Sequence, residues 1–452
     1  MSWLQEQIHK NSQGLYIQSG TQQLSYAQIY EMVQVYTQSM LKENIQPQHR
    51  ILIYLSSGIE LVAINLACFE IGAVAVPISP NLTKIERDSV TKRIQPTFII
   101  TNWENRGEFA ELSFPILCIE EFPNSSGEYS LIENNYTKDL HNICTIMLTS
   151  GTTDIPKAVQ LTFGNFETSC SNWNNFLKFK PNDQFLCCLP LHHIGGLAVL
   201  LRALIYGFSV NLVNQFRAEV ILRTIQDYPV TIISLVPTML KRILDIDGGL
   251  KTLKKLRYIL LGGGPSPEYL LDLCIQENLP IIKVYVMSET CSGTVGLKLL
   301  DEPQHKLYAG RPFPGASLEV KNNEIHISGP MVMKGYVGES NTNGTHNSHD
   351  LGSVENDNLV FLDIRRKDLI VTGGENVNPI EVEEALLNID GITDAAVVGK
   401  ADDEWNQKVI AYIVNTSIPV EKELLKTELK KSLSPYKIPK DYIRVPHIPR
   451  NE

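Results

Sequence analysis

Through roughly its first 290 residues the chain alternates short apolar runs with helix-length segments, and no other feature constrains its fold as strongly. Ile51–Leu55 is a short apolar run, Ser56-Ser57 can cap a helix, Gly58–Ile71 reads as amphipathic, Gly72 ends it, and Ala73–Val76 begins the next strand. The unit recurs through the strand candidates Phe185–Leu189, Phe208–Val213, Thr231–Leu235, Tyr258–Leu261 and Ile281–Tyr285. Such alternation predicts a layered α/β domain with largely parallel sheets. Ligands of such domains sit off the carboxyl ends of the strands, where the loops at Thr149, Gly262 and Ser288 emerge.

From about Gly293 to Asp363 the pattern changes to short β segments and Gly/Pro turns, which predicts a small barrel-like subdomain. Asn341–His349 is polar and reads as a loop. The charged cluster Ile364–Lys367 marks a boundary between a domain of residues 1–363 and one of residues 368–452. Beyond it, Asn378-Pro379-Ile380-Glu381 is a helix start with Asn at the cap, Pro first and Glu three on. Strands Ala395–Val398 and Val409–Val414 and a helix Glu421–Leu433 complete a compact α+β unit. At 452 residues the chain exceeds what one core supports, and two or three units are expected.

A formal charge of −10 argues against a nucleic-acid partner, whose phosphates it would repel. The eight cysteines form no Cys-x-x-Cys and read as small core residues, which fits a reducing cytoplasm and no structural zinc. Met1–Gly14 has no signal-peptide core. The longest apolar stretch, Ile194–Val213, carries Arg202 and is broken by Gly207, so it reads as a helix and a strand, not a membrane span. Together these predict a soluble cytoplasmic protein, and nothing in the sequence excludes a homo-oligomer.

Three loops carry the chemistry. Leu148–Lys157 reads Leu-Thr-Ser-Gly-Thr-Thr-Asp-Ile-Pro-Lys, four hydroxyls around one glycine with a lysine six residues on. It follows the strand candidate Ile143–Leu148 and can wrap phosphate oxygens with backbone N–H and side-chain O–H donors. It is not the ordinary P-loop, which has a second glycine before its Lys-Ser/Thr. Tyr285–Thr290 ends a strand with a carboxylate flanked by hydroxyls, and Leu261–Pro265 places three glycines after another. Alone, each is as readily a turn or a capped helix start.

In this order and spacing the motifs closely resemble those of the adenylate-forming enzymes: acyl-CoA ligases, luciferases and peptide-synthetase adenylation domains. The resemblance spans nearly the whole chain. It implies a large N-terminal domain of layered αβαβα sheets, the β-barrel-like subdomain within it, and a small mobile α+β C-terminal domain turning on a hinge at Lys367. It assigns the ATP phosphates to Thr149, Ser150, Gly151, Thr152, Thr153 and Lys157, and the rest of the nucleotide to Gly263, Gly264, Pro265, Tyr285 and Ser288. Glu289 would hold Mg²⁺, Thr290 the α-phosphate, and Asp350 and Arg365 the ribose. Gly373-Gly374-Glu375-Asn376 resembles the segment lining the pantetheine tunnel for coenzyme A. Pro190–Gly196 matches the family's Pro-x-x-His-x-x-Gly, which makes His193 a gate of the acyl pocket and, with Lys157 and Glu289, a catalytic candidate. On an extended backbone the rings of His192 and His193 should diverge, which argues against a shared metal.

The implied reaction activates a small-molecule carboxylic acid with ATP to an acyl-adenylate and then transfers the acyl group to coenzyme A. Lys157–Thr162 and Leu189–Arg202 look most like the o-succinylbenzoate–CoA ligase branch of menaquinone biosynthesis. That acid has a second carboxylate, for which Arg202 is the candidate partner; the alternative is an arginine pairing on a helix surface. Ser234, Thr238 and Gly310 would line the pocket by placement in the family. Two departures keep other readings open. The family's C-terminal lysine, in a Pro-x-x-x-x-Gly-Lys segment, would fall about three residues beyond Glu452, as if the sequence were truncated. Asp154, Val286, Asn323, His349 and Asn406 stand where the family has glycine; where φ is positive each costs on the order of 1 kcal/mol. A slow, ligand-binding homologue or an enzyme for another acid or a carrier protein is therefore also compatible.

Overall fold

The computed structural model describes residues 2–123, 136–149, 156–362, 369–415 and 421–448. Two large sheets dominate the N-terminal part. The first has nine strands, in the order Arg311–Pro312, Ser292–Lys298, Ile281–Met287, Tyr258–Leu261, Ile232–Leu235, Gln184–Cys187, Ser209–Leu212, Leu15–Ser19 and Gln22–Ser25. The second has seven: Gly335–Tyr336, Lys157–Thr162, Ile143–Thr149, Val74–Pro77, Arg50–Ile53, Phe98–Thr101 and Ile116–Cys118. Parallel pairing runs through the middle of both; antiparallel pairs close both edges of the nine-stranded sheet and one edge of the seven-stranded sheet, whose other edge, Ile116–Cys118, is parallel.

Side chains alternate between faces along each strand, so every central strand feeds two cores. Ile51 and Ile53 join the core between the two sheets, while Leu52 packs outward beneath the helix Lys84–Ile94. Leu260 likewise points inward and Ile259 and Leu261 outward, under the helices Ala218–Asp227 and Glu268–Gln276. The inner layer holds Ile59–Ile71, Phe163–Leu177 and Ile194–Tyr206. This is the expected αβαβα order. Ile59–Ile71 corrects one expectation: it is not amphipathic, because every residue but Glu60 is buried between the sheets. Its cap is Gly58, and the Ser57 hydroxyl instead accepts from the Leu191 N–H at 3.0 Å, tying this helix start to the His192-His193 segment.

The short β segments after Gly293 are shared among three sheets. Ser292–Lys298 and Arg311–Pro312 edge the nine-stranded sheet and Gly335–Tyr336 edges the seven-stranded one, leaving Ser317–Lys321, Glu324–Ser328, Thr345–Val354 and Val360–Leu362 as an antiparallel sheet. The expected loop therefore ends at Thr345, where a ten-residue strand begins. Asn323, His349 and Asn406 have φ of 65°, 57° and 67°, in the left-handed region that glycine favours and that Asn and His tolerate. Val286 lies in the strand Ile281–Met287 and needs no such freedom; Asp154 lies outside the described residues.

The C-terminal part has its own sheet, from Ile370–Thr372, Glu375–Val377, Ile392–Asp402, Asn406–Asn415 and Asp441–Arg444, covered by the helices Pro379–Leu387 and Lys422–Leu429 around a separate core. Asn378 caps the first helix by accepting from the Ile380 N–H at 3.1 Å, with Pro379 in the first turn. All eight cysteines are buried and unpaired. Among the described residues no helix is long and apolar enough to cross a membrane.

Candidate active site

The hydroxyl-rich loop joins Ile143–Thr149 to Lys157–Thr162, which pair antiparallel with Thr149 opposite Lys157. Ser150, Gly151, Thr152 and Thr153 lie outside the described residues, as do Arg365 and Lys367. Lys157 sits at the strand start with its ammonium 4.8 Å from the Tyr336 ring centre. The Tyr336 hydroxyl donates to Glu289 Oε1 at 2.8 Å, and the Met333 N–H donates to the Glu289 carbonyl at 2.8 Å. Tyr336 thus joins the cation and the carboxylate that the sequence places 132 residues apart, and sequence reasoning missed it. Its only local signal is a Gly-Tyr pair in a turn-rich stretch. His346 packs edge-on against Tyr336 at 6.4 Å; burial holds its imidazole below the usual range, against the pull of Glu289.

Thr290 is buried in the turn Ser288–Thr290, and its hydroxyl donates to the Ser292 carbonyl at 2.9 Å. To donate to a phosphate it would first have to turn away. Tyr285, on the preceding strand, donates to Asp350 Oδ2 at 2.5 Å, and the Asp350 N–H donates to Ser348 Oγ at 3.1 Å. The glycine turn after Tyr258–Leu261 is half-buried and closely approached by protein at each glycine. A Cβ on Gly262 would meet the Val284 carbonyl at 2.9 Å, one on Gly263 (φ 81°) the Val236 side chain at 2.9 Å, and one on Gly264 the Val371 side chain at 3.2 Å. Pro265 follows in the same turn.

Val236 is also where the C-terminal domain seats. A Cβ on Gly374 (φ 90°) would come within 2.9 Å of it, and the Gly373 N–H donates to the Trp405 carbonyl at 2.9 Å. The next residue, Glu375, reaches His193: its Oε1 lies 3.5 Å from His193 Nε2. His193 caps the helix Ile194–Tyr206, its carbonyl accepting from Gly196 and Leu197. Removal from water would lower the His193 imidazole, but the facing Glu375 carboxylate carries it above its usual value. For Glu375, burial alone would raise the carboxyl, and His193 holds it low. His192 is deeper; burial pushes its pKa down to about 3, helped by His193. The two rings do not diverge as expected. Their centres are 4.6 Å apart and the rings tilted by 55°, because a turn at Leu191-His192, closed by the His193 N–H donating to the Pro190 carbonyl at 3.1 Å, precedes the extended His193. Among the described residues no three His, Cys, Asp or Glu side chains gather into a metal cluster. A lone carboxylate such as Glu289 suits Mg²⁺, which takes most of its ligands from phosphate and water.

Arg202 is not a surface residue. Only 2% exposed, its guanidinium donates to Ser292 Oγ at 2.7 Å and lies 4.3 Å from the Trp173 ring centre, while its Nε has no partner. No carboxylate among the described residues pairs with it, and burial lowers its pKa to about 10. It lies nine residues after His193 on one helix, and long helical side chains lean back toward the N-terminus. Ser234 is the penultimate residue of the strand Ile232–Leu235, its carbonyl accepting from the Cys188 thiol at 3.6 Å, and Thr238 is buried one turn later. Gly310 (φ 118°) is packed so tightly that a Cβ would lie 2.1 Å from the Gly296 carbonyl. Its glycine identity is explained by that contact alone.

Residues 4–337 match the AMP-binding enzyme family and residues 381–452 the AMP-binding enzyme C-terminal domain. The 2-succinylbenzoate–CoA ligase of Oceanobacillus iheyensis is 33% identical over 442 residues, 95% of this chain and 92% of that protein. Among solved structures, a double mutant of the o-succinylbenzoate CoA synthetase of Bacillus subtilis bound to its product analogue OSB-NCoA superposes with a TM-score of 0.92. The identity is 30%, with 99% of this chain and 95% of that chain covered. The same enzyme in complex with the acyl-adenylate intermediate OSB-AMP gives 0.77 at the same identity and coverage. The chain superposes more closely on the first of these structures than on the second. The chain belongs to the AMP-binding enzyme family.

Proposed function

We propose that this protein is an AMP-forming acid–thiol ligase that converts 2-succinylbenzoate to 2-succinylbenzoyl-CoA, with ATP, Mg²⁺ and coenzyme A as co-substrates. A carboxylate oxygen of the acid attacks the α-phosphorus of ATP and expels pyrophosphate; the coenzyme A thiol sulfur then attacks the acyl carbon and expels AMP. Lys157 and the hydroxyl-rich loop offset the charge on the phosphates, and Glu289, held by Tyr336, would carry Mg²⁺, whose chemistry is charge neutralisation. Asp350, oriented by Tyr285, is placed to accept the ribose hydroxyls. In the second step the acceptor thiol passes Gly373 and Gly374, with His193 held at the domain border by Glu375.

The observation that carries the choice of acid is Arg202. A buried cation without a carboxylate partner is costly, and a diacid anchored by its second carboxylate supplies one while its first faces the nucleotide. Retained left-handed backbone at Asn323, His349 and Asn406 favours an active enzyme over a degenerate binding homologue. The test is formation of AMP and thioester from 2-succinylbenzoate, ATP, Mg²⁺ and coenzyme A, beside benzoate and a medium-chain fatty acid. A second arm uses the chain extended with Gly-Lys in register. Product from the diacid alone supports the reading. No product in either arm, with ATP still bound, rejects it in favour of a binding protein.

A further inference from the structure

Away from the site, one cluster of buried charge joins the two domains. Lys437 Nζ lies 2.6 Å from Glu86 Oε1 and 2.7 Å from Glu381 Oε1, and the Ser434 hydroxyl donates to Glu86 Oε2 at 2.7 Å. Lys437, Glu86 and Ser434 are 5%, 6% and 1% exposed. Glu86 belongs to the N-terminal helix Lys84–Ile94, where it also closes the capping box with Thr83; the other three belong to the C-terminal domain. The Thr83 hydroxyl adds a contact to the Ser432 carbonyl at 3.3 Å.

The contacts of Glu86 with Lys437 and Ser434, and of Thr83 with Ser432, exist only while the C-terminal domain is seated as described, whereas Lys437–Glu381 lies within that domain. A buried ion pair suits a contact that must break again, because its attraction is largely offset by the cost of desolvating both charges. When the domain leaves, water reaches Glu86 and Lys437, and that cost is returned. An apolar patch of equal area would hold the domain more permanently. Lys437 and Glu375, the residue that reaches His193, are carried by the same domain, so both arrive when it seats.

We propose that Glu86, Lys437 and Glu381 form a domain latch, and that Lys437 is a positioning residue for thioester formation and not for adenylation. This rests on the ligase reading and adds to it which contact commits the domain to the second half-reaction. K437M and E86Q, with the double variant, test it in the two-domain chain. Synthetic 2-succinylbenzoyl-adenylate and coenzyme A report the second half-reaction; pyrophosphate–ATP exchange reports the first. Each single variant slows the thioester step on the order of 10- to 100-fold, leaves exchange within about twofold, and the double variant falls no further than the worse single one. Parallel loss in both half-reactions, or an unchanged thioester step, overturns the latch. If the unmodified protein makes no thioester the ligase reading fails instead, and solution scattering still decides the latch. There K437M must shift the profile away from the seated arrangement, and an identical profile overturns it.

Discussion

Replacing Arg202 with methionine separates a ligand-binding cation from a structural one. In the fold, burial lowers the guanidinium from its ordinary value to about 10. A depressed base is penalised at every pH below its folded pKa, so the full cost applies at neutral pH and fades only as pH rises past that value. It is on the order of 3 kcal/mol. A bound carboxylate recovers roughly that amount, which corresponds to about 100-fold in kcat/KM. R202M therefore loses about two decades of kcat/KM with the diacid. The unliganded protein loses the Ser292 hydrogen bond and the stacking on Trp173 but is relieved of the charge, so its melting point holds or rises by about a degree. The assay pairs initial rates on 2-succinylbenzoate and benzoate with thermal denaturation. A large fall in melting point, or equal loss on both acids, would refute the reasoning.

Y336F removes the hydrogen bond to Glu289 and keeps the ring beside Lys157; adenylation should slow by about tenfold with little change in stability, read by pyrophosphate exchange. The His193–Glu375 contact is complete between the depressed pKa of the acid and the raised pKa of the base. Its contribution to domain seating fades as pH falls through the first and as it rises through the second. With the side chains 40% and 35% exposed it is worth under about 1 kcal/mol. The thioester step should therefore show a shallow alkaline decline that E375Q abolishes; an unchanged decline in E375Q assigns it elsewhere. G310A has to fit a Cβ against the Gly296 carbonyl at φ 118°, and should cost about 3 kcal/mol in thermal unfolding whichever acid is tested. A stable G310A with altered acid preference would instead make Gly310 a pocket residue.

What the sequence determined by itself is local. Strand–helix alternation, the Asn378-Pro379 helix start, and the left-handed φ at Asn323, His349 and Asn406 are set within a few residues by periodicity and backbone sterics. They were legible for that reason, as were the three loops at strand ends. Periodicity was less able to say what surrounds an element. Ile59–Ile71 reads as one-sided only until a sheet lies on each side of it. Its neighbours are strands distant in the chain, brought together by crossovers that no local pattern records.

The site shows the same division. The family motifs name Lys157 and Glu289, but Tyr336 comes between them through pairing of Gly335 with Gln160, a contact across 175 residues. Arg202 was legible as a candidate, and its depth and missing partner were not, because burial belongs to the packed core and not to the helix that carries it. His193 with Glu375, and Glu86 with Lys437, exist only when one domain is seated on the other. Each such contact balances Coulomb attraction against desolvation, and that balance is struck by tertiary placement alone.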